Sequence, residues 1–168
     1  MRRVGIVFGS STGNTRDVSE QIQRTFGPEQ ADLLDISEID PHTLEQYDNL
    51  VFAVSTWGMG DLQDDWEAFF PSFDEIDLTH THVAVAALGD QRNYPEHFAD
   101  AMPILVDKAA ERGASVVGAT SPEGYTYGSS AAERDGRLLG LALDEDTQSD
   151  LTNSRIRDWV EQLKRQFA

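Results

Sequence analysis

Between the apolar run Val4 to Phe8 and a helix-length segment stands Gly9-Ser10-Ser11-Thr12-Gly13-Asn14-Thr15. Four hydroxyls and consecutive backbone N–H groups at the start of a helix make a cradle for an anion. The loop has neither the Lys of a P-loop nor the G-x-G-x-x-G of a dinucleotide fold, so a phosphate monoester suits it better than a nucleoside triphosphate or NAD. A helix end attracts an exposed anion by about 0.3–1 kcal/mol, against roughly 1.5–3 kcal/mol for each hydrogen bond to a charged group. Hydroxyl and amide hydrogen bonds must therefore carry the binding. The same residues would also serve as a hydroxyl-rich helix cap with no ligand.

Two later loops each set an aromatic among turn formers. Ser55-Thr56-Trp57-Gly58-Met59-Gly60-Asp61 follows the apolar run Leu50 to Val54, and Gly89-Asp90-Gln91-Arg92-Asn93-Tyr94-Pro95 follows Val83 to Leu88. Either aromatic alone could simply secure its loop. Together with the anion cradle, Trp57 and Tyr94 describe two walls around a planar group that carries a phosphate, as in a flavin mononucleotide (FMN) site. No catalytic triad is visible, and His42, His80, His82 and His97 lack the spacing of a metal-ligand set. We expect surface histidines, no metal and no catalytic residue, with His97 nearest the ligand.

The elements that must hold these loops alternate along the chain. Val4 to Phe8, Leu50 to Val54, Val83 to Leu88 and a weaker run, Ser115 to Ala119, read as strands buried on both faces. Asn14 to Phe26, Asp65 to Phe70 with its surroundings, Glu96 to Arg112 with Gly113 as stop signal, and Leu151 to Phe167 read as helices. Right-handed crossovers then give an α/β fold, a parallel sheet with helices on both faces, which binds ligands beyond the carboxyl ends of its strands where the strand order reverses. Thr120 to Leu141 differs: rich in Gly, Ser and Tyr, with the turn Asp135-Gly136, it reads as an inserted lobe. Pro41 and Pro71 mark local breaks. A chain of 168 residues suits one domain, spanning residues 1–168.

Thirty acidic residues against thirteen basic ones give a formal net charge of -17, which disfavours nucleic acid and anionic membrane and favours a basic partner protein. The absence of cysteine excludes disulfides, thiolate catalysis and Cys-ligated metal clusters. No apolar run is long enough to span a membrane, and nothing after Met1-Arg2-Arg3 reads as a signal peptide, so a cytoplasmic chain is expected.

Four segments, S-S-T-G-N-T, T-W-G-M-G-D-L with Trp66 shortly after, G-D-Q-R-N-Y, and G-L-A-L-D-E-D-T-Q at 140–148, together resemble flavodoxins over nearly the whole chain. The segment around Gly124-Tyr125 and Asp135-Gly136, about residues 120–141, looks like the insertion of the long-chain group. The resemblance implies a flavodoxin-like, doubly wound, five-stranded parallel sheet whose last strand is interrupted by the inserted lobe. It also implies a monomer that holds FMN without a covalent bond. Ser10, Ser11, Thr12, Gly13, Asn14 and Thr15 would wrap the phosphate, Trp57 and Tyr94 would stack on opposite ring faces, and Thr56 and Asp146 would lie along the ribityl chain. Gly89 and Asp90 would meet the pyrimidine edge. Gly58, Met59 and Gly60 would form the turn in which the Gly58–Met59 peptide rotates to accept the N5–H of the half-reduced ring. Glycine at 58 eases that rotation.

The function so implied is low-potential, one-electron transfer between semiquinone and hydroquinone, with no substrate turnover of the chain's own. The expected partners are an NADP-linked flavodoxin reductase and low-potential acceptor enzymes that dock basic surfaces on the acidic rim. That rim would comprise Asp61, Asp64, Asp65, Glu67, Asp90, Asp144 and Asp146, each an ordinary solvated carboxylate when taken alone. Two alternatives stay open: an FMN-dependent NAD(P)H:quinone oxidoreductase, which needs an open flavin face, and a flavin-free module that binds another phosphate. The chain departs from the family pattern at Ser55, where Pro is usual, and at Arg92-Asn93, where an apolar residue and Gly are usual. These changes imply a more polar, positively charged rim, with Asn93 able to take the positive φ that Gly would offer.

Overall fold

A computed structural model describes residues 1–168. In chain order its elements are β1 (Val4–Phe8), α1 (Asn14–Phe26), β2 (Ala31–Asp35), β3 (Asn49–Trp57), β4 (Asp61–Leu62), α2 (Asp64–Phe69), β5 (His82–Leu88), α3 (Ala101–Glu111), β6 (Ser115–Val116), β7 (Glu133–Arg134), β8 (Arg137–Leu138), β9 (Leu141–Leu143) and α4 (Ser149–Gln166). Pro41 and Pro71 each sit in the first turn of a short 3-10 helix, where a missing N–H costs nothing.

The main sheet runs β2-β1-β3-β5, all parallel, and its fifth position is shared by two pieces of chain. β6 pairs with the start of β5 through His82↔Ser115, and β9 pairs with its end through Ala86↔Leu141 to Leu88↔Leu143. The chain between leaves the sheet and makes the small antiparallel ribbon β7–β8, so the lobe interrupts the last strand as expected.

Alternation along the strands divides the apolar side chains between two faces. Leu50, Phe52 and Val54 of β3 and Val83, Val85 and Ala87 of β5 join Trp66, Phe69, Met102 and Leu105 beneath α2 and α3. Val51, Ala84, Ala86 and Leu88 face the other way, onto Val18 and Ile22 of α1 and Ile156, Trp159 and Leu163 of α4. Burial on both faces explains why these strands read as unbroken apolar runs.

β2 completes the five strand positions that the resemblance implies, but Ala31-Asp32-Leu33-Leu34-Asp35 does not read as a strand from its pattern because it carries two carboxylates; as an edge strand it can leave them partly solvated. The expected helix from Glu96 begins only at Ala101, since residues 96–100 form turns, and Ala99 holds φ +55°. The strand at Ser115 ends at Val116, and Leu50–Val54 lengthens to Asn49–Trp57 because Thr56 and Trp57 pair antiparallel with β4.

Candidate functional site

After β1 the chain leaves toward β2 on one side, and β3 returns on the other side of β1. Strand order therefore reverses between β1 and β3, and the helices that follow them lie on opposite faces. The loops after β1, β3 and β5 border a cleft of about 260 Å³ at their carboxyl ends, together with the loop after β9.

One end of the cleft is the loop into α1. The Gly13 N–H donates to Ser10 Oγ at 2.9 Å, and no other backbone N–H from Ser10 to Thr15 has a partner within the protein. Such a row of free donors at a helix N-terminus has the geometry to receive an anion. Thr12, Asn14 and Thr15 line the cleft. Ser10 and Gly13 shape the loop through their mutual bond, while Ser11 faces an adjoining groove and its Oγ accepts from Gln63 Nε2 at 3.0 Å. Gln63, buried, also caps α2 by accepting from the Asp65 N–H. Gly9 is required by this packing: a Cβ there would overlap Gln63 Oε1 and stand 3.0 Å from Trp66 Cδ1. No cation joins the loop, because Arg16 binds Glu20 at 3.2 Å and lies over the Phe8 ring.

The walls are aromatic. Trp57 and Tyr94 remain 42% and 45% exposed, although apolar rings are ordinarily buried, and both line the cleft with Ser55, Thr56, Gly58, Gly89 and Asp90. The family model described as Flavodoxin matches residues 6–159. A flavodoxin of Picosynechococcus sp. is 41% identical over 168 residues, covering 99% of each chain. A flavodoxin of Nostoc sp. is 42% identical over 166 residues, covering 99% of this chain and 98% of its own. The chain belongs to the flavodoxin family. In structure it is similar to a Fusobacterium nucleatum flavodoxin bound to flavin mononucleotide, with 29% identity, full coverage of both chains and a TM-score of 0.95.

Other parts of the cleft are set by a tight turn and one long-range bond. Gly58 holds φ +53°, a conformation that costs glycine nothing, and the turn closes with the Gly60 N–H on the Trp57 carbonyl at 3.2 Å. Met59 is 75% exposed outside the cleft, and Gly60 packs against Asp100. Thr56 Oγ1 accepts from the Ala101 N–H at 3.2 Å, which leaves its proton free for the cleft.

The loop from Asp90 to Asp100 is backed by the lobe. The Gly128 and Ser129 N–H groups donate to the Pro95 carbonyl at 2.7 and 3.0 Å, and the Ala131 N–H donates to Asp100 Oδ1 at 2.8 Å. Phe98 stacks on Tyr127 at 5.3 Å. Gln91, buried, accepts from the Thr126 and Tyr127 N–H groups and donates to Asp144 Oδ2 at 2.9 Å.

Two expectations about charge change here. Asp144 is not a rim carboxylate; it is fully buried. Its Oδ2 accepts from the Gln91 N–H at 3.0 Å, from Gln91 Nε2 and from the Thr147 hydroxyl, and its Oδ1 accepts from the Asp146 and Thr147 N–H groups at 3.0 and 2.9 Å. Burial alone would raise its pKa, but the bonds from Thr147 and Gln91 outweigh burial and hold the carboxyl below its ordinary value. Arg92, the expected positive charge on the rim, is exposed and does not line the cleft. Nor does the turn need a positive φ at Asn93, since the Arg92 and Asn93 N–H groups both donate to Asp90 Oδ1 at 3.0 Å.

Asp90 thereby spends its carboxylate on its own turn, accepting also from Asn93 Nδ2 at 2.7 Å. Asp146 lines the cleft, and its pKa is raised by partial burial and then by Asp90, Asp144 and Glu145. His97 lines it too, bonded through Nδ1 to Asp100 at 3.0 Å; His82 is half-buried, while His42 and His80 are exposed. Sequence reasoning did not single out Leu88 or Glu145 as cleft residues, nor Gln63 and Gln91 as its supports. The supporting role of the two glutamines has no local signal, because the bonds by which they support the cleft, Gln63 to Ser11 and Gln91 to Asp144 and Thr126, join residues more than thirty positions apart.

Proposed function

We propose that the chain binds FMN in this cleft and carries single electrons at low potential between redox proteins, without substrate turnover of its own. The observation that carries the reading is the pairing of free donors at the head of α1 with two half-exposed aromatic walls in one cleft. Flavodoxins are themselves a standard example of a ligand held at such a reversal of strand order.

The cleft fits the cofactor. The N–H groups and hydroxyls from Ser10 to Thr15 would hold the phosphate with neutral dipoles. Thr56 and Asp146 would meet the ribityl chain, Trp57 and Tyr94 the two ring faces, and Gly89 with the Asp90 backbone the pyrimidine edge. When bound, the flavin supplies a redox centre able to take up electrons one at a time. In the turn Gly58-Met59-Gly60 the Gly58 carbonyl would be able to swing toward the ring and accept a hydrogen bond from it, since glycine permits the peptide to rotate. Exposed carboxylates at Asp61, Asp64 and Glu67 lie beside the phosphate loop, alongside Trp57. They would resist further negative charge on the ligand and would attract basic docking surfaces, an NADP-linked reductase and low-potential acceptors among them.

Anaerobic stepwise reduction of the FMN-loaded protein, followed in the visible, tests this. A half-reduced species that accumulates and then disappears is expected. Bleaching in one step, with steady NADH oxidation, would instead favour the quinone oxidoreductase. Failure to take up FMN at all would refute the site.

A further inference from the structure

Trp66 and Trp159 donate their indole N–H groups to core carbonyls, those of Ala53 at 2.9 Å and Gly118 at 2.8 Å. The third tryptophan is different. Trp57 is solvent-facing and stacks on no other ring of the protein, and its Nε1–H donates to the Ser55 hydroxyl at 2.8 Å.

The backbone on both sides of this bond is fixed. Ser55 pairs with Leu88 of β5, Trp57 pairs with Asp61 of β4, and the two side chains, two residues apart on β3, share one face. What remains free is the swing of the indole, and the hydroxyl takes it up. We propose that Ser55 is a positioning residue that holds the Trp57 ring as a preformed wall of the cleft, so that FMN meets an already oriented ring. The inference rests on the FMN reading given above.

A side chain that must be ordered on binding weakens the complex, and one ordered beforehand does not. Ser55→Ala removes the acceptor and leaves the strand; Ser55→Thr keeps an acceptor oxygen and suits a strand better still. A single net hydrogen bond corresponds to about threefold to tenfold in affinity.

The test uses the flavin-free and FMN-titrated forms of the full chain. In 15N-labelled flavin-free protein the three indole N–H signals are resolved and their exchange with water is measured. In Ser55→Ala the Trp57 signal should shift and exchange faster, while Trp66 and Trp159 stay unchanged as internal controls. FMN should dissociate about threefold to tenfold more readily from Ser55→Ala, and Ser55→Thr should restore both readouts to within about twofold. An unchanged Trp57 signal and affinity in Ser55→Ala would overturn the inference. So would a loss in Ser55→Thr equal to that in Ser55→Ala, which would make the effect one of packing. If the unaltered chain takes up no FMN, the flavin reading fails on its own, and the indole signals still decide whether Ser55 orients the ring.

Discussion

Replacing Asp144 by Asn changes one buried atom and should loosen two walls of the cleft together. The carboxylate accepts five hydrogen bonds and donates none, with Gln91 on one oxygen and the Asp146 and Thr147 N–H groups on the other. An amide must turn its NH2 toward one side or the other. Whichever side it takes, two N–H donors lose their acceptor and face another donor. At about 1–3 kcal/mol for each orphaned group, partly offset by relief of repulsion from Asp90 and Asp146, the loss should be about 2–5 kcal/mol. For a chain of 168 residues this lowers the melting temperature by about 5–15 °C.

The pH dependence follows from the depressed pKa of Asp144. Because the folded value lies below the unfolded one, its stabilisation is complete above the ordinary value of 3.8 and is lost as pH falls through the folded value. Urea unfolding of both proteins at pH 7 and at stepwise lower pH should therefore give curves that separate at neutrality and converge in acid. FMN affinity should fall with stability at pH 7, since the loops carrying Tyr94 and Asp146 both hang from this carboxylate. A neutral-pH loss below about 1 kcal/mol, or a gap that widens in acid, would refute the reasoning.

Gly9→Ala should push Gln63 off the loop and cost about 1–3 kcal/mol in urea unfolding, with weaker FMN binding measured by fluorescence quenching. Asp146→Asn should raise the potential for the second electron only slightly. One charge about 10 Å away in water is worth roughly 0.4 kcal/mol, or under about 20 mV, so a shift several times larger in a dye-equilibrated titration would mean a far less polar cleft.

Much of the site was legible because its signals are local. The hydroxyl loop after β1, the aromatics set among glycines and the alternation of apolar runs with helical segments depend on residues adjacent in the chain, and they point to the carboxyl strand ends, where the structure has a cleft. The edge strand β2 escaped notice because its carboxylates mask its pattern, and residues 96–100 resemble a helix start that the packing of the lobe against Phe98 and Asp100 holds in turns. The fate of individual polar groups was not legible either. Asp90, Asp144 and Asp146 are all carboxylates within one loop cluster, yet one caps its own turn, one is buried as a hub and one faces the cleft.

The sequence by itself determined the fold class, the hydroxyl-rich loop at the head of α1 and the aromatic walls of the cleft, since periodicity and turn chemistry act over a few residues. Only the tertiary structure decided that Gln91 ties the lobe to Asp144, that Gln63 supports the loop into α1 and that the Trp57 indole donates to Ser55. A hydrogen bond depends on distance and direction in space; for the two glutamines the partners lie far off in the chain, and for Ser55 the orientation of two neighbouring side chains is settled by the strands packed around them.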